Sequence, residues 1–308
     1  MKKTAILLMA YGGPDKLEDV APYLLDVRGG RPTTPELTEE IKARYAAIGG
    51  NSPLLPITRK VAQALEKKLQ ADYGAEIKVF VGMRHWFPYI REAAAQIVEQ
   101  GFERVITLCM TPFDSRFTTE VYFQHLDQAL AQHGLTTEME VVRIPGWYQE
   151  PGFAESLVQK VSQALSSFEN ERKVRVFFSA HSLPAVVLQE GDPYPQQFQA
   201  LAEMVAQKAG LSPQNWQIAY QSAGAGKIPW LGPDLEEKVI ELGEKGIQDV
   251  LIAPIGFLCD HVEILYDLDI ELLAETEHLG MNIKRTQSLN ADPRFISFLA
   301  ERITKELI

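Results

Sequence analysis

The chain has 308 residues, enough for two domains of ordinary size that each bury a hydrophobic core. Hydrophobic residues make up 46% and charged residues 23% of the sequence, and the formal net charge of −11 argues against sequence-independent binding to nucleic acid or anionic lipid. No apolar run approaches the ~20 residues that span a bilayer, so we expect no integral membrane segment.

The N-terminus and the two cysteines indicate a cytoplasmic protein. Lys2 and Lys3 precede an apolar run, as in a signal peptide, but the run is too short and Tyr11-Gly12-Gly13-Pro14 stands where a cleavage site would lie. Cys109 and Cys259 are far apart and have no disulfide or cluster-binding spacing. We therefore expect a reducing compartment and no iron–sulfur cluster.

Strands and helices alternate along the whole chain. The predicted strands are Thr4–Met9, Ile77–Val81, Arg104–Cys109, Met139–Arg143, Val174–Phe178, Trp216–Tyr220, Val250–Ile255 and Asn282–Arg285. The predicted helices are Lys16–Val27, Pro35–Ala47, Ile57–Gln70, Tyr89–Gln100, Phe117–Gln132, Ala154–Ser167, Gln196–Lys208, Leu235–Gly243, a helix after Asp260 that runs through at least Glu271, and Pro293–Leu307. Strands separated by helices predict an α/β protein with parallel, doubly wound sheets, and the chain has enough strands for two.

The two halves of the chain resemble each other. The turn Ala10-Tyr11-Gly12-Gly13-Pro14, after the first strand, corresponds to Ala180-His181-Ser182-Leu183-Pro184 in the second half. We predict two Rossmann-like domains related by pseudo-symmetry, 1–168 and 169–308, with an insertion at about 20–55 in the first. The last helix is expected to pack back on the first domain. A shared preference for the same strand and turn sequence is the alternative explanation.

The histidine that follows the apolar strand Val174–Phe178 is the first candidate for chemistry. Pro184 has no N–H for a strand ladder, so the strand must end before it. His181 then lies at the carboxyl end of a parallel strand, where open α/β sheets bind their ligands. Histidine can accept a proton or bind a metal near neutral pH. A structural histidine bonded to backbone is the alternative.

An acidic series follows the buried strand Val250–Ile255. Glu263, Asp267 and Glu271 are spaced i, i+4 and i+8, so a helix would place them on one face. Like charges at this spacing repel unless cations or water compensate them. A row of carboxylates that starts near a histidine suits a divalent metal, including iron, or a proton path. A solvated acidic surface is the alternative.

Several further residues could bind a substrate, each with a structural alternative. Arginines in or near the insertion that could hold carboxylates are Arg28, Arg31 and Arg44. Ser52 and Tyr122 could donate hydrogen bonds, and Trp230 could line a flat apolar ligand, although such a tryptophan is more often core. Gly224–Lys227 lacks the spacing of a phosphate loop. His85 and His125 are assigned structural roles.

The motifs as a set resemble the ferrochelatases, most closely the bacterial branch that uses coproporphyrin III. They are Arg44-Tyr-Ala-Ala-Ile-Gly-Gly-Asn-Ser-Pro-Leu54, Ser179-Ala-His-Ser-Leu-Pro184, Pro229-Trp-Leu-Gly-Pro-Asp234 and Gly256-Phe-Leu-Cys-Asp-His-Val-Glu-Ile-Leu-Tyr-Asp-Leu-Asp269. The resemblance runs essentially end to end. It implies two Rossmann-like domains with a porphyrin cleft between them, and insertion of ferrous iron into the porphyrin in haem biosynthesis. Iron is then a substrate, no cofactor is permanently bound, and a monomer is expected.

The resemblance also implies roles for individual residues. His181 and Glu263 are similar to the family's metal-binding and catalytic pair, and Asp267 and Glu271 to the rest of its acidic ladder. Tyr11 is similar to the tyrosine that approaches iron from the opposite face in the coproporphyrin branch. Positions that match that branch's substrate pocket are Arg28, Arg44, Tyr45, Ser52 and Tyr122.

Two departures and three rival functions accompany this resemblance. The loop Thr111-Pro-Phe-Asp-Ser115 replaces one that more usually contains histidine or tyrosine, and the cysteine-rich tail of cluster-containing members is absent.

The rival functions are a protoporphyrin IX ferrochelatase, a cobalt chelatase of the sirohydrochlorin type and a non-catalytic porphyrin or haem carrier. Tyr11 argues against the first, and the missing second metal-binding histidine argues against the second. A carrier would show a binding shift without turnover.

Overall fold

The computed structural model describes residues 2–132, 139–224 and 228–307, which divide into two units. Unit 1 comprises Met1–Thr111, Thr118–Gly146 and Asn290–Ile308, and unit 2 comprises Pro112–Phe117 and Trp147–Leu289. The C-terminal residues therefore group with unit 1, and the residues that follow Gly146 group with unit 2.

Eight strands and twelve α-helices, with a few short 3-10 and π turns, form the two units in the described ranges. The strands are β1 Thr4–Ala10, β2 Ile77–Met83, β3 Arg104–Cys109, β4 Glu140–Ile144, β5 Arg175–His181, β6 Trp216–Gln221, β7 Asp249–Ala253 and β8 Asn282–Arg285. The helices are α1 Val20–Val27, α2 Pro35–Ala47, α3 Leu54–Tyr73, α4 Ile90–Glu99, α5 Thr119–Gln132, α6 Pro151–Leu165, α7 Val186–Gln189, α8 Tyr194–Lys208, α9 Leu235–Glu244, α10 Val262–Leu265, α11 Leu272–Thr276 and α12 Pro293–Leu307. None of them is both long and apolar enough to cross a membrane.

Each unit contains one parallel four-stranded sheet, and the two sheets have the same strand order. Unit 1 has the order β2-β1-β3-β4, and unit 2 has the order β6-β5-β7-β8. This confirms the predicted fold class of two Rossmann-like domains. In unit 1, β2 is added on one side of β1, and β3 and β4 are then added on its other side, so the strand order reverses between β1 and β3. In unit 2 the strand order reverses in the same way between β5 and β7. Open α/β sheets bind ligands at the carboxyl ends of such strands.

Unit 1 is built on β1, all seven residues of which are buried. Successive side chains of a strand point to opposite faces of the sheet. Ala5, Leu7 and Met9 belong to one hydrophobic cluster with residues of α4 and α5. The helices α3 and α12 pack together, and α3 also lies against β1 and β2. The long apolar run near the N-terminus is therefore the centre of a sheet covered on both faces.

The core of unit 2 fixes the orientation of the acidic segment. Ile264, Leu268 and Leu272 are buried in a cluster with residues of β5, β7 and α9. Each of them comes directly after one of the predicted acidic residues. Burial of this apolar row therefore holds the acidic row on an adjacent face of the same segment, directed away from the core.

The acidic segment departs from the predicted continuous helix. After α10, residues Asp267–Glu271 form a π-helical turn, and α11 follows. The backbone N–H of Glu271 donates to the carbonyl of Tyr266 at 2.9 Å, a bond that spans five residues instead of four. Single π-turns inside helices occur frequently at functional sites. The segment is helical through Glu271, as predicted, but its middle is a π-turn instead of a regular α-helix.

Candidate functional site

His181 is the last residue of β5 and is partly exposed. Its ring Nδ1 lies 2.5 Å from the carbonyl oxygen of Ser182. A nitrogen that faces a carbonyl must carry the proton, so in the neutral ring Nε2 keeps its lone pair. The backbone carbonyl of His181 accepts a hydrogen bond from the buried Tyr194 hydroxyl at 2.8 Å, which fixes the strand end. The ring thus presents one nitrogen that can accept a proton or bind a metal.

A buried glutamine connects the end of β5 with the start of the acidic segment. Gln221 pairs with His181 in the sheet register and is 4% exposed. Its side-chain oxygen accepts from the Ser179 hydroxyl at 2.7 Å, and its Nε2 donates to the carbonyl of Glu263 at 2.8 Å. His181 ends β5 and Glu263 comes after β7, the two strands between which strand order reverses, and Gln221 connects their backbones through hydrogen bonds.

The next residue, Ser222, holds the second member of the acidic row. Its hydroxyl donates to Oδ2 of Asp267 at 2.5 Å. Its φ of 60° lies in the left-handed region, which costs an L-residue roughly 1–2 kcal/mol. Strained residues of this kind persist where the surrounding structure holds them in place, and they cluster at functional sites.

Two substitutions separate the strain at Ser222 from its hydrogen bond. Both Ser222→Gly and Ser222→Ala remove the bond to Asp267, but only glycine adopts a positive φ without a steric penalty. We therefore expect the glycine variant to be the more stable of the two by about 1 kcal/mol, measured as the free energy of unfolding in urea. An alanine variant as stable as the glycine variant would show that φ at this position carries no strain.

Glu263 is partly exposed and lies beside a second histidine. Its Oε2 is 3.3 Å from Nε2 of His261, whose Nδ1 is 2.9 Å from the carbonyl oxygen of Cys259. Within the described ranges, no three or more His, Cys, Asp or Glu side chains are grouped so that they could hold a metal ion. Glu263, Asp267 and Glu271 thus form a row along the segment and do not enclose one position.

The π-turn affects the alignment of this row. In a regular α-helix, residues four apart are offset by about 40°, so Glu263 and Glu271 would be offset by about 80°. A turn with five-residue hydrogen bonds takes more residues to complete, so the step from Asp267 to Glu271 is offset in the opposite direction. The two offsets counteract each other, and the three carboxylates stay closer to one line than the sequence spacing alone predicts.

In unit 1, Tyr11 follows β1 and is 39% exposed. The pairing of β1 with β2 continues past the strand ends, because the N–H of His85 donates to the carbonyl of Tyr11 at 2.9 Å. The two rings lie 4.7 Å apart between centroids. Nδ1 of His85 is 2.7 Å from Oδ1 of Asp26, and the Tyr89 hydroxyl donates to the other oxygen of Asp26 at 3.2 Å. His85 therefore supports Tyr11, a contact that the sequence analysis missed.

Burial lowers the pKa of His85 to about 4, although the hydrogen bond with Asp26 acts in the opposite direction. The folded protein thus keeps this imidazole neutral at a pH where the unfolded chain, with a pKa near 6.5, binds a proton. The stability associated with the neutral ring is present above about pH 6.5 and is lost as the pH falls toward 4. We expect a loss of about 2 kcal/mol between pH 7 and pH 5.

Urea unfolding of the wild type and His85→Gln at both pH values checks this expectation. When the change in the free energy of unfolding of the variant is subtracted from that of the wild type, the contributions of the other titrating groups cancel. The free energy of unfolding should fall more in the wild type than in the variant between pH 7 and pH 5, even if the two proteins differ in stability at pH 7. Parallel losses in both proteins would contradict a buried neutral His85.

Two of the predicted substrate residues lie at the turn after β1. A Cβ atom placed on Gly13 would lie 2.5 Å from Oγ of Ser52 and 3.8 Å from the hydroxyl of Tyr45. The N–H of Ser52 donates to the carbonyl of Pro14 at 2.8 Å, and Ser52 and Tyr45 are buried. The absence of a side chain at Gly13 is therefore what allows Ser52 to approach the turn that begins with Tyr11, and the Tyr45 hydroxyl lies within van der Waals distance of the same position.

The remaining predicted residues are placed differently. Arg28 is an exposed residue at the end of α1, and Arg44 pairs with Glu40 on α2 at 3.2 Å. Tyr122 is buried in the core of unit 1, where burial raises the pKa of its hydroxyl. The guanidinium of Arg84 lies 6.0 Å from the Tyr122 ring and 5.9 Å from the Tyr11 ring, so it lies near both.

Trp230, the substrate candidate in unit 2, packs on a glycine. Its ring would lie 2.4 Å from a Cβ atom placed on Gly224, so only glycine fits there. Trp230 forms an isolated antiparallel bridge with Pro184, three residues after His181. Ala225–Lys227, which belong to the rejected phosphate-loop motif, lie outside the described residues.

The comparison with protein families agrees with this geometry. A family model described as Ferrochelatase matches residues 3–307, nearly the whole chain. The chain belongs to the ferrochelatase family. It is 40% identical over 304 residues to a ferrochelatase from Herpetosiphon aurantiacus, with 98% of each chain covered. It is 38% identical over 310 residues to a coproporphyrin III ferrochelatase from Geobacillus sp. (strain WCH70), with 99% of this chain and 98% of the relative covered.

Solved structures support the fold alone. SirB from Bacillus subtilis with Fe3+ has a TM-score of 0.60 and 13% sequence identity, and the alignment covers 99% of this chain and 95% of that one. As a member of the ferrochelatase family, the chain is an enzyme that inserts a metal into a porphyrin in haem synthesis. The predicted family and enzyme class are confirmed, and the roles of individual residues stay predictions.

Proposed function

We propose that the chain inserts ferrous iron into coproporphyrin III, and that His181 and Glu263 handle the metal and the pyrrole protons. The observation that carries this proposal is the connection through Gln221. It fastens the end of β5, where His181 lies, to the residue that opens the acidic row. Iron enters as a substrate, and no step requires a resident cofactor.

The chemistry of the porphyrin explains why a histidine beside carboxylates is suitable. A free porphyrin is planar and binds a metal only after it loses two weakly acidic pyrrole protons. The enzyme must therefore expose the nitrogen lone pairs, accept protons and supply a partly dehydrated metal. His181 presents Nε2 with its lone pair, because Nδ1 donates to the Ser182 carbonyl. A positioned base of this kind contributes typically 10²–10⁴-fold to a proton transfer.

The acidic row continues from Glu263 and is assigned to ferrous iron. Imidazole suits iron and carboxylates suit divalent cations generally, so His181 followed by Glu263 is a reasonable ligand set. Residues four apart on a helix have Cβ atoms about 5–6 Å from one another, so a cation can pass from one carboxylate to the next. Ser222 holds Asp267 in place for this role. A row of separate carboxylates also favours transit of an ion over permanent storage.

Coproporphyrin III is proposed because of the polar residues of unit 1 and the named relatives. It carries four propionates, and protoporphyrin IX carries two, so the former needs more polar partners. Candidates for these contacts are Tyr11, Arg28, Arg44, Tyr45, Ser52 and Tyr122. A charge-assisted hydrogen bond contributes about 1.5–3 kcal/mol, less where the arginine is exposed. Relatives 35–38% identical over nearly the whole chain are named coproporphyrin III ferrochelatases. Trp230 is assigned to the flat face of the macrocycle.

Specificity constants test the proposed substrate. We expect kcat/KM for coproporphyrin III to exceed that for protoporphyrin IX by at least about tenfold, the factor that corresponds to 1.4 kcal/mol. Arg44→Ala should narrow this ratio. Arg116→Ala is the matched control, because Arg116 is an exposed arginine of unit 2 that pairs with Glu190 at 2.8 Å, and it should leave the ratio unchanged.

The assay uses anaerobic conditions, ferrous iron and matched detergent, so that porphyrin aggregation does not produce a false preference. Equal or reversed specificity constants would overturn the proposed substrate, although not the family. Turnover with sirohydrochlorin alone would favour the cobalt-chelatase type of reaction. A stoichiometric spectral shift without turnover would indicate a carrier.

A further inference from the structure

One arginine of unit 2 makes a two-pronged contact with the π-turn. Arg285 is the last residue of β8, and its Nε and Nη2 donate to the two carboxylate oxygens of Asp269 at 2.6 and 2.8 Å. Asp269 is the middle residue of the π-turn Asp267–Glu271. The third nitrogen of the guanidinium, Nη1, donates to the carbonyl of Thr286 at 3.0 Å. The guanidinium is therefore held by backbone on one side and holds the turn on the other.

The same arginine also lies near the loop that follows β7. Its Nη2 is 3.5 Å from Oδ1 of Asp260, and this oxygen accepts a hydrogen bond from the Ser288 hydroxyl at 2.7 Å. The arginine side chain is 19% exposed and the two carboxylates are 24% and 36% exposed, so water screens these contacts only partly. The loop, the turn and the edge strand β8 are thus joined at one guanidinium.

Asp269 has a particular position relative to the acidic row. It comes two residues after Asp267 and two before Glu271, and residues two apart on a helical turn lie on nearly opposite sides. A fixed Asp269 therefore restrains rotation of the turn about its axis. Such a rotation would move Asp267 and Glu271 out of line with Glu263. The buried Ile264, Leu268 and Leu272 hold the apolar face against the core. Their apolar side chains form no hydrogen bonds, so they restrain the rotation of the turn less strictly.

We propose that Arg285 is a positioning residue for the metal-handling carboxylates. Its paired hydrogen bonds to the two oxygens of Asp269, here called the fork, set the rotation of the π-turn about its axis. This inference rests on the proposed function of the acidic row. The planar fork is the essential feature, because lysine carries the same charge but cannot grip both oxygens of one carboxylate in a fixed plane. A partly buried ion pair alone is weak evidence of a contribution to stability. Its directional role is therefore the property to test.

The test compares full-length variants for iron and porphyrin separately. Arg285→Lys and Asp269→Asn should each raise the KM for ferrous iron about tenfold, within the range found when outer partners of metal ligands are removed. The KM for the porphyrin should stay within about twofold, because rotation of the turn leaves unit 1 unchanged. The double variant should lose no more than the single ones, since both remove the same fork.

Two further variants serve as controls. Arg302→Lys alters a partly buried arginine of α12 that pairs with Glu306 at 2.7 Å, so it matches the substitution but lies far from the π-turn in sequence and in the other unit. It should leave both KM values unchanged even if it lowers the melting temperature. Asp267→Asn removes a carboxylate of the row itself and should raise the KM for iron.

The outcomes separate the inference from the function on which it rests. A rise in iron KM with Asp267→Asn but none with Arg285→Lys or Asp269→Asn overturns the positioning role alone. No rise with Asp267→Asn overturns the assigned function of the row, and the positioning role fails with it. A change in melting temperature alone, or equal changes in both KM values, shows that the fork is a general structural contact and also overturns the inference.

Discussion

Replacement of His181 with alanine is expected to lower kcat for iron insertion into coproporphyrin III by at least about 100-fold, the lower bound for loss of a positioned acid–base group. His181 is the last residue of β5, and its ring presents Nε2, the nitrogen that does not face the Ser182 carbonyl. The fold should survive, because the side chain is partly exposed and the bond from Tyr194 goes to the backbone carbonyl, which alanine retains. Steady-state rates and a melting curve check both statements.

The control for this substitution is His278→Ala. His278 is an exposed histidine of the same unit that precedes β8, toward the amino ends of the parallel strands and away from the carboxyl end where His181 lies, so its loss should leave kcat unchanged. Retention of half the wild-type turnover in His181→Ala would remove His181 from the reaction. Loss of turnover together with a large fall in melting temperature would instead point to a structural role.

Substitution of Glu263 is expected to have the second largest effect. Glu263→Gln keeps the shape of the side chain but removes its charge, and its backbone carbonyl still accepts the bond from Gln221. We expect kcat/KM for iron to fall about 100-fold in Glu263→Gln, and less than about tenfold in Glu271→Gln, because the two residues stand at opposite ends of the row. The comparison is internally matched, since both variants convert a glutamate of one segment to glutamine.

Initial rates at varied ferrous iron and saturating porphyrin give the two values of kcat/KM. Equally mild effects would indicate that the row is ordinary solvated surface. Equally severe effects would show that the far end of the row matters as much as the end that Gln221 fastens to β5. Either result would require a different account of how iron reaches the porphyrin.

The fold could be predicted largely because its strands are buried on both faces. Such strands are continuous apolar runs, as in β1, β5 and β7, and the helices between them fix the parallel arrangement. The helix bounds were predicted less accurately, because α3 and α8 begin at Leu54 and Tyr194, directly after prolines that are typical of turns. The short helix α7, after Pro184, gave no periodic signal.

The candidate site could be predicted only in part. His181 and Glu263 have recognisable positions, since each follows a buried strand. Gln221 and Ser222 have no such signal, because their contacts join residues 42 and 45 positions apart that meet only through the sheet. The contact between Tyr11 and His85 likewise depends on the register of β1 with β2.

The π-turn could not be predicted from local pattern. Ile264, Leu268 and Leu272 repeat every four residues, which is also the pattern of an uninterrupted amphipathic helix. The extra residue in the turn shows itself in backbone bonds that span five residues, from Glu271 to Tyr266 and from Leu272 to Asp267. Asp269, which the sequence places in a run of alternating acidic and apolar residues, proves to be bound to a strand 16 positions later.

The central claim is that His181 and Glu263 act together on one metal insertion, and a double-mutant cycle tests it most directly. The rates of wild type, His181→Ala, Glu263→Gln and the double variant are measured anaerobically with coproporphyrin III and enough protein to exceed the uncatalysed rate. Residues that act as a unit are strongly non-additive, so the double variant should lose little more than the worse single variant. Losses that multiply would show that the two residues act independently, and would contradict the account.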